Sequence, residues 1–192
     1  MDALELMLSR ESALKLESPG PSAGELDRIF ASAVRAPDHG RLRPWHFVVI
    51  GEAQRAAFGA VMADSLRRRD PAASDEALQR ERDKAFRAPV IVVVGAKVRK
   101  GHKIPEIEQI ASASAAAQTI MLAAPALGYG AVWKTGAPAY DPAVKAALGL
   151  AGEDEIIGFL YIGTDLGGSS AFPRPDAGDH VTNWAGGGGG SV

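Results

Sequence analysis

RAPDHGRLRPWHFVVIG, Arg35 to Gly51, sets three arginines, two histidines and two prolines against the apolar run Phe47-Val48-Val49-Ile50. The run is short, β-branched and stopped by a glycine, and it reads as a buried strand over 46–50. Pro37 and Pro44 each fix φ and bias the preceding residue towards extended backbone. The loop between them is therefore stiff. It holds Arg35, His39, Arg41 and Arg43 in a defined arrangement at a strand end, a plausible seat for an anionic ligand. The alternative is a solvated basic loop, the usual fate of charge runs.

Working outward, more elements of both kinds come into view. Ala3, Leu4, Leu6, Met7 and Leu8 suggest a short first helix. Ser22 and Glu25 have capping-box spacing and open a helix with Leu26, Ile29, Phe30, Ala33 and Val34 at core positions. Residues 52–69 and 75–86 read as charged helices. The first ends in Arg67-Arg68-Arg69, cations suited to the negative end of a helix dipole. Val90 to Val94, between Pro89 and Gly95, reads as a second buried strand. The longest helix spans 106–127. Its middle, IASASAAAQTIMLAA, is apolar or small almost all round, so it belongs in the core, and Pro125 should kink or end it. A short strand at 131–133 follows. Asp141-Pro142 then opens another helix, and 156–162 forms the last strong strand. The expected architecture is an α/β sandwich of α+β type, a small central mixed sheet with helices on both faces. A single domain should cover 1–185, with Gly186 to Gly190 starting a flexible tail over 186–192.

Composition excludes several function classes. The 192 residues suit one domain and are 46% hydrophobic, enough for a real core. The formal charge of −2 argues against bulk electrostatic binding to nucleic acid. Without cysteine there is no disulfide, thiolate catalysis or Cys-ligated metal. The start, MDALELMLSRES, carries acids and lacks a long apolar core, so it does not read as a signal peptide. No stretch has the length and apolarity of a membrane span. A cytoplasmic enzyme or binding protein is expected.

Motif searches return mostly negatives. GYGAVW, Gly128 to Trp133, starts like a dinucleotide fingerprint but runs from helix to strand, the reverse of the Rossmann order. Gly128 reads first as a helix C-cap. Gly130 invites close approach of backbone to a ligand. There is no Walker loop and no nucleophile elbow. Asp38, His39 and His46 match no common metal spacing, and the neighbouring arginines would repel a cation. So little acid–base machinery suits an enzyme whose cofactor carries the hard chemistry.

Several segments, taken in order, resemble the flavin-dependent nitroreductase family, most closely its compact YdjA-like branch. They are Arg10-Glu11-Ser12, RAPDH with PWHFVVI, FRAPVIVVV, Glu108 to Gln118, GYGAVWKTG and IIGFLYIG. The resemblance implies a homodimer with two FMN molecules at the interface, each contacted by both chains. By position, Arg10, Glu11 and Ser12 belong to the cofactor site, with Arg10 and Ser12 meeting the phosphate and ribityl chain. A guanidinium fork and a hydroxyl suit phosphate oxygens. Arg35 and His39 would reach the same cofactor from the partner chain, and Trp133, Lys134 and Thr135 would run along the flavin. No side chain is expected to act as a dedicated catalyst, and no metal is expected.

The implied activity is ping-pong hydride transfer from NADPH or NADH to nitro compounds, quinones or related oxidised acceptors. Peptide groups around Gly130 to Thr135 are candidates for stabilising charge on the flavin. Arg41, Arg43 and Lys134 are candidates for favouring the 2′-phosphate of NADPH. Departures from the family pattern are Leu14, where a third polar or cationic group is common, with Lys15 as a substitute, and Arg174 as the only C-terminal candidate for a phosphate-binding arginine. The alternatives are a flavin-binding protein without turnover, or a same-fold flavoenzyme with other chemistry, such as dehalogenation or flavin breakdown.

Overall fold

The computed structural model describes residues 2–167 and 173–184. The expected Gly-rich tail lies outside the described residues. Among the described residues, six α-helices and five strands follow one another as α1 (Ala3–Ser9), β1 (Leu16–Glu17), α2 (Ala23–Ala33), β2 (Trp45–Ile50), α3 (Arg55–Arg69), α4 (Asp75–Asp83), β3 (Val90–Ala96), α5 (Glu106–Ala126), β4 (Gly130–Lys134), α6 (Pro142–Ala147) and β5 (Glu155–Asp165). Short 3-10 turns fill several joins, including His39–Arg41 and Lys84–Phe86.

β5 is the axis of the sheet. It pairs with β3 on one side and with β4 and then β1 on the other, and β3 pairs with β2. Every pairing among the described residues is antiparallel, so the sheet is not the mixed one expected from sequence. Helices cover both faces. Phe58 and Met62 of α3 and Val144 of α6 pack with Ile91, Val93, Phe159 and Tyr161. Ile29 and Ala33 of α2 and Ala116, Ala117, Ile120 and Met121 of α5 pack with Val90, Val92, Leu160 and Ile162. Both faces of β3 are therefore covered, which is why its apolar residues run without alternation.

β2 does not have that environment. It begins at Trp45 and, among the described residues, lies at the sheet edge with β3 as its one partner. Only Ile50 is fully buried, and Val49 is 41% exposed. The expectation of a buried strand there is corrected: an apolar run reports burial on at least one face, not a central place in the sheet.

A bulge in β5 shapes the region under β4. Val94 faces Gly158 but Gly95 faces Ile156, so Ile157 is the extra residue. The spare carbonyl of Ile157 accepts the indole N–H of Trp133 at 3.2 Å. That indole occupies the space a Cβ at Gly158 would need, whose nearest atom would be Trp133 Nε1 at 2.1 Å. The bulge also changes which face alternate residues occupy. Ile156 shares a face with Phe159 and Tyr161, whereas Leu160 and Ile162 point the other way.

Candidate functional site

The chain turns into β4 through the end of α5. Gly128 takes φ +88°, its N–H donates to Pro125, and the N–H of Tyr129 donates to Ala124. This is a Schellman ending, as the C-cap reading of Gly128 requires. Helix α5 continues through Pro125 for one residue rather than kinking earlier.

Residues 10–17 then run beside the outer edge of β4. The N–H of Ala13 donates to the carbonyl of Ala131 at 3.0 Å. Gly130 makes this approach possible. A Cβ there would lie 2.8 Å from both Leu16 Cδ2 and Asp165 Cβ and 3.0 Å from Ala13 Cβ. The glycine is filled by the protein's own side chains, which replaces the expectation that it makes room for a ligand. Beyond Ala131 the segment diverges and the edge of β4 is open. Main-chain groups of residues two apart in a strand point the same way. The N–H and C=O of Trp133 therefore face outward, as the bonded carbonyl of Ala131 does.

Three adjoining cavities of about 270, 540 and 200 Å³ follow this edge. The first lies between Arg10, Glu11, Gly130 and Asp165. The second is flanked by Leu14, Lys15, Phe86, Arg87, Val132 and Lys134. The third is bounded by Arg69, Glu81, Lys84, Thr135 and Tyr161. Ala13 lines the first two, and Arg87 and Lys134 line the last two, so together they form one groove. Its size is that of a ligand site.

The third cavity is the most unusual chemically. Four cations border it, namely Arg69, Lys84, Arg87 and Lys134, with one carboxylate, Glu81. Lys84 donates to Glu81 Oε1. Glu81 Oε2 is buried and has no hydrogen-bond partner. An unpartnered buried carboxylate oxygen is costly, and it points to a donor that arrives with a ligand. Tyr161 is buried beside them, and burial pushes its phenol up to about 12, with Arg87 opposing and Glu81 reinforcing the shift. The phenol therefore stays protonated through neutral pH.

The residues expected at the site are only partly brought together. Arg10 and Glu11 line the first cavity, and Lys134 and Thr135 line the other end. Ser12 is half-buried between Glu11 and Ala13. Trp133 lines none of the three cavities, and its side chain lies on the α5 face of the sheet. Lys15 is bound to Glu17 at 2.9 Å, while Leu14 is 63% exposed at the groove. Arg35 and His39 are exposed and line none of the three cavities. His39 Nδ1 instead lies 2.6 Å from Glu108 Oε2. Asp38 accepts from the N–H groups of Leu42 and Arg43 at 3.1 and 2.8 Å, away from His39. Arg174 is exposed.

Sequence reasoning missed Glu81, Lys84 and Arg87. They belong to α4 and the turn after it, a run that reads as an ordinary solvated helix. The triplet Arg67-Arg68-Arg69 ends α3 as expected, but its members have separate duties. Arg67 meets Asp64, Arg68 meets Asp141 at 2.8 Å, and Arg69 lines the groove.

Comparison with known proteins gives a consistent picture. The sequence profile of the Nitroreductase family matches residues 8–164. The chain is 40% identical over 183 residues to the provisionally named NAD(P)H nitroreductase YdjA of Escherichia coli (strain K12), covering 95% of this chain and 99% of that protein. A nitroreductase-like family protein from Bacillus cereus superposes with a TM-score of 0.83 at 22% identity, covering 97% of each chain. A provisionally assigned nitroreductase from Desulfovibrio desulfuricans, solved in complex with FMN, superposes with a TM-score of 0.73 at 22% identity, covering 95% of this chain and 98% of the other.

Proposed function

This chain belongs to the nitroreductase family and is an oxidoreductase, and from that premise we propose that it works as an FMN-dependent homodimer in the cytoplasm, with one domain over residues 1–185. When bound, FMN would supply the hydride chemistry between NAD(P)H and nitro compounds, quinones or related oxidised acceptors, in alternating half-reactions.

The observation that carries this reading is the groove's polarity. One end offers Arg10, a guanidinium fork suited to a phosphate, while Ser12, two residues on, lines none of the three cavities. The middle has apolar walls, Leu14, Phe86 and Val132, that suit a flat ring. The far end combines the orphaned Glu81 Oε2 with Lys84, Arg87 and Lys134. A flavin ring has one imide N–H between two carbonyls on its polar edge. Glu81 would accept from the N–H, and the cations would meet the carbonyls. The same positive charge suits the negative charge that the ring gains on reduction. The outward main chain of Trp133 and the loop at Thr135 would hold the ring's long side. No protein acid is required, because protons can come from water.

Arg35 and His39 complete the site only from a second copy. In this reading Glu108 positions His39 through their 2.6 Å contact. The first helix supports dimerisation: it buries no residue, and Leu4, Met7 and Leu8 are 57–70% exposed. Such a face is stable when a second copy covers it. The test is to denature the purified protein and identify the released cofactor by chromatography. FMN is expected. FAD, or no flavin retained after reconstitution, would overturn the reading.

A further inference from the structure

The groove does not end at Thr135. Arg69 and Ala137 line the third cavity and also a further hollow of about 380 Å³, which Arg68, Tyr140, Asp141 and Pro142 complete. The hollow therefore opens onto the end of the groove that holds Glu81, Lys84 and Arg87, where the flavin's polar edge would lie. The proposed function leaves it, and Arg69, unused.

Two rigid elements build the hollow. The end of α3 supplies the arginines, and successive helical residues point about 100° apart. Arg67 accordingly turns back to Asp64, while Arg68 donates to Asp141 Oδ2 at 2.8 Å. Asp141 is fully occupied, because its other oxygen caps α6 by accepting the N–H of Ala143 at 2.8 Å. Its charge is matched by Arg68 and does not draw on Arg69. Arg69 is exposed, and among the described residues it has no ion-pair partner. The second element is the turn Ala137–Tyr140. Pro138 and Ala139 are buried, and the N–H of Ala139 donates to the carbonyl of Gly136 at 2.9 Å. Tyr140 thus stands on an anchored turn, yet is 72% exposed. An open aromatic ring and an uncommitted guanidinium fork share one concave site. They suit a ligand with a flat face and one carboxylate.

We propose that this hollow is a subsite for the electron acceptor, in which Arg69 selects aromatic acceptors that carry a carboxylate and Tyr140 supports their rings. The inference rests on the proposed FMN function, which needs the reducible group of the acceptor at the flavin and leaves the rest of the molecule to reach past it. The hollow lies at the low end of the volumes of small-molecule sites, roughly 300–1,000 Å³. A second protein chain is the weaker occupant. Stable association buries roughly 800 Å² on each partner, whereas Tyr140 is the one large exposed hydrophobic residue in this lining.

The test titrates the oxidised, FMN-loaded protein by calorimetry, without nucleotide, with para-nitrobenzoate and with its neutral counterpart para-nitrobenzamide. The acid should bind roughly tenfold more tightly, the effect of a charge-assisted pair. The difference should shrink in high salt, because Arg69 is exposed. Arg69→Gln should bring the two dissociation constants together. Arg69→Lys, which keeps the charge but not the fork, should restore part of the gap. Tyr140→Ala should weaken both ligands and leave sedimentation of the protein unchanged. In turnover, Arg69→Gln should raise the KM of the acid relative to that of the amide by the same factor. Equal binding of acid and amide by wild type, discrimination that survives in Arg69→Gln, or unchanged affinities in Tyr140→Ala would overturn the proposal. So would an assembly that dissociates in Tyr140→Ala, which would mark the hollow as an interface between copies. A protein that holds FMN yet treats the two probes alike defeats this inference alone. One that keeps no FMN defeats the proposed function, and the inference with it.

Discussion

Gly130→Ala should damage both the fold and the cofactor site, because one missing Cβ lets residues 10–17 close on β4. The added methyl would meet Asp165 Cβ and Leu16 Cδ2 at 2.8 Å and Ala13 Cβ at 3.0 Å. Two of those atoms are Cβ atoms that cannot swing away by a rotamer change. Relief must come from backbone movement, and residues 10–13, bonded through Ala13 to Ala131, are easier to displace than Lys15 to Glu17, which are also held by Leu166 and β5. Overpacking of this kind costs about 1–3 kcal/mol. Losing the Ala13 hydrogen bond adds about 1 kcal/mol. The sum, about 2–4 kcal/mol, would lower the melting temperature of a chain this size by about 4–16 °C. Arg10 moves with the segment, so FMN affinity should fall roughly tenfold or more. Denaturant unfolding and FMN titration of apo protein measure the two effects. A Gly130→Ala protein with the wild-type unfolding midpoint and wild-type FMN affinity would refute the argument that this contact builds the site.

Gly24→Ala is the opposite case. Nothing lies within 4 Å of the added Cβ, so the variant should gain about 0.4–1 kcal/mol from reduced freedom of the unfolded chain, read as a higher unfolding midpoint with FMN binding unchanged. Tyr161 predicts an alkaline weakness. Its folded pKa is raised to about 12 from 10.0, so the folded state keeps a proton that the unfolded state loses. Stability should be intact below pH 10 and fall as pH rises towards 12, and Tyr161→Phe should flatten that limb of the unfolding profile. Arg35→Ala should weaken FMN binding roughly ten- to a hundredfold in titration. Because dimer and cofactor would be linked, apo protein should dissociate on dilution more readily than holo protein in sedimentation.

Much of the fold was legible wherever a local rule acts alone. The Ser22 and Glu25 capping box opens α2, with both reciprocal bonds present. Asp141 caps α6 ahead of Pro142. Gly128 ends α5 in left-handed backbone. Properties that depend on distant partners were not legible. The two-residue β1 exists only because β5 extends past β4 to pair with it. Strand direction and the edge position of β2 depend on how the strands are connected, and no periodicity encodes that. At the site, Arg10, Glu11, Lys134 and Thr135, expected at the cofactor, line the groove. That Val132 and Lys134 share one face of the sheet and Trp133 takes the other was readable, since alternate strand residues face opposite ways. The cluster of Glu81, Lys84 and Arg87 was not. It forms only when the end of α4 meets residues 134–138 and β5, more than fifty residues later in the chain.

A flavin held in this groove should turn over with a nicotinamide nucleotide. The most direct test is an anaerobic titration of the purified, FMN-reconstituted protein with NADPH, followed by the visible absorption of the flavin, with an excess of a quinone added at the end. The yellow band should bleach with one equivalent of NADPH per flavin and return when the quinone is added. A flavin that stays oxidised under excess NADPH and NADH alike would contradict it, and would mark the protein as a flavin carrier rather than an oxidoreductase.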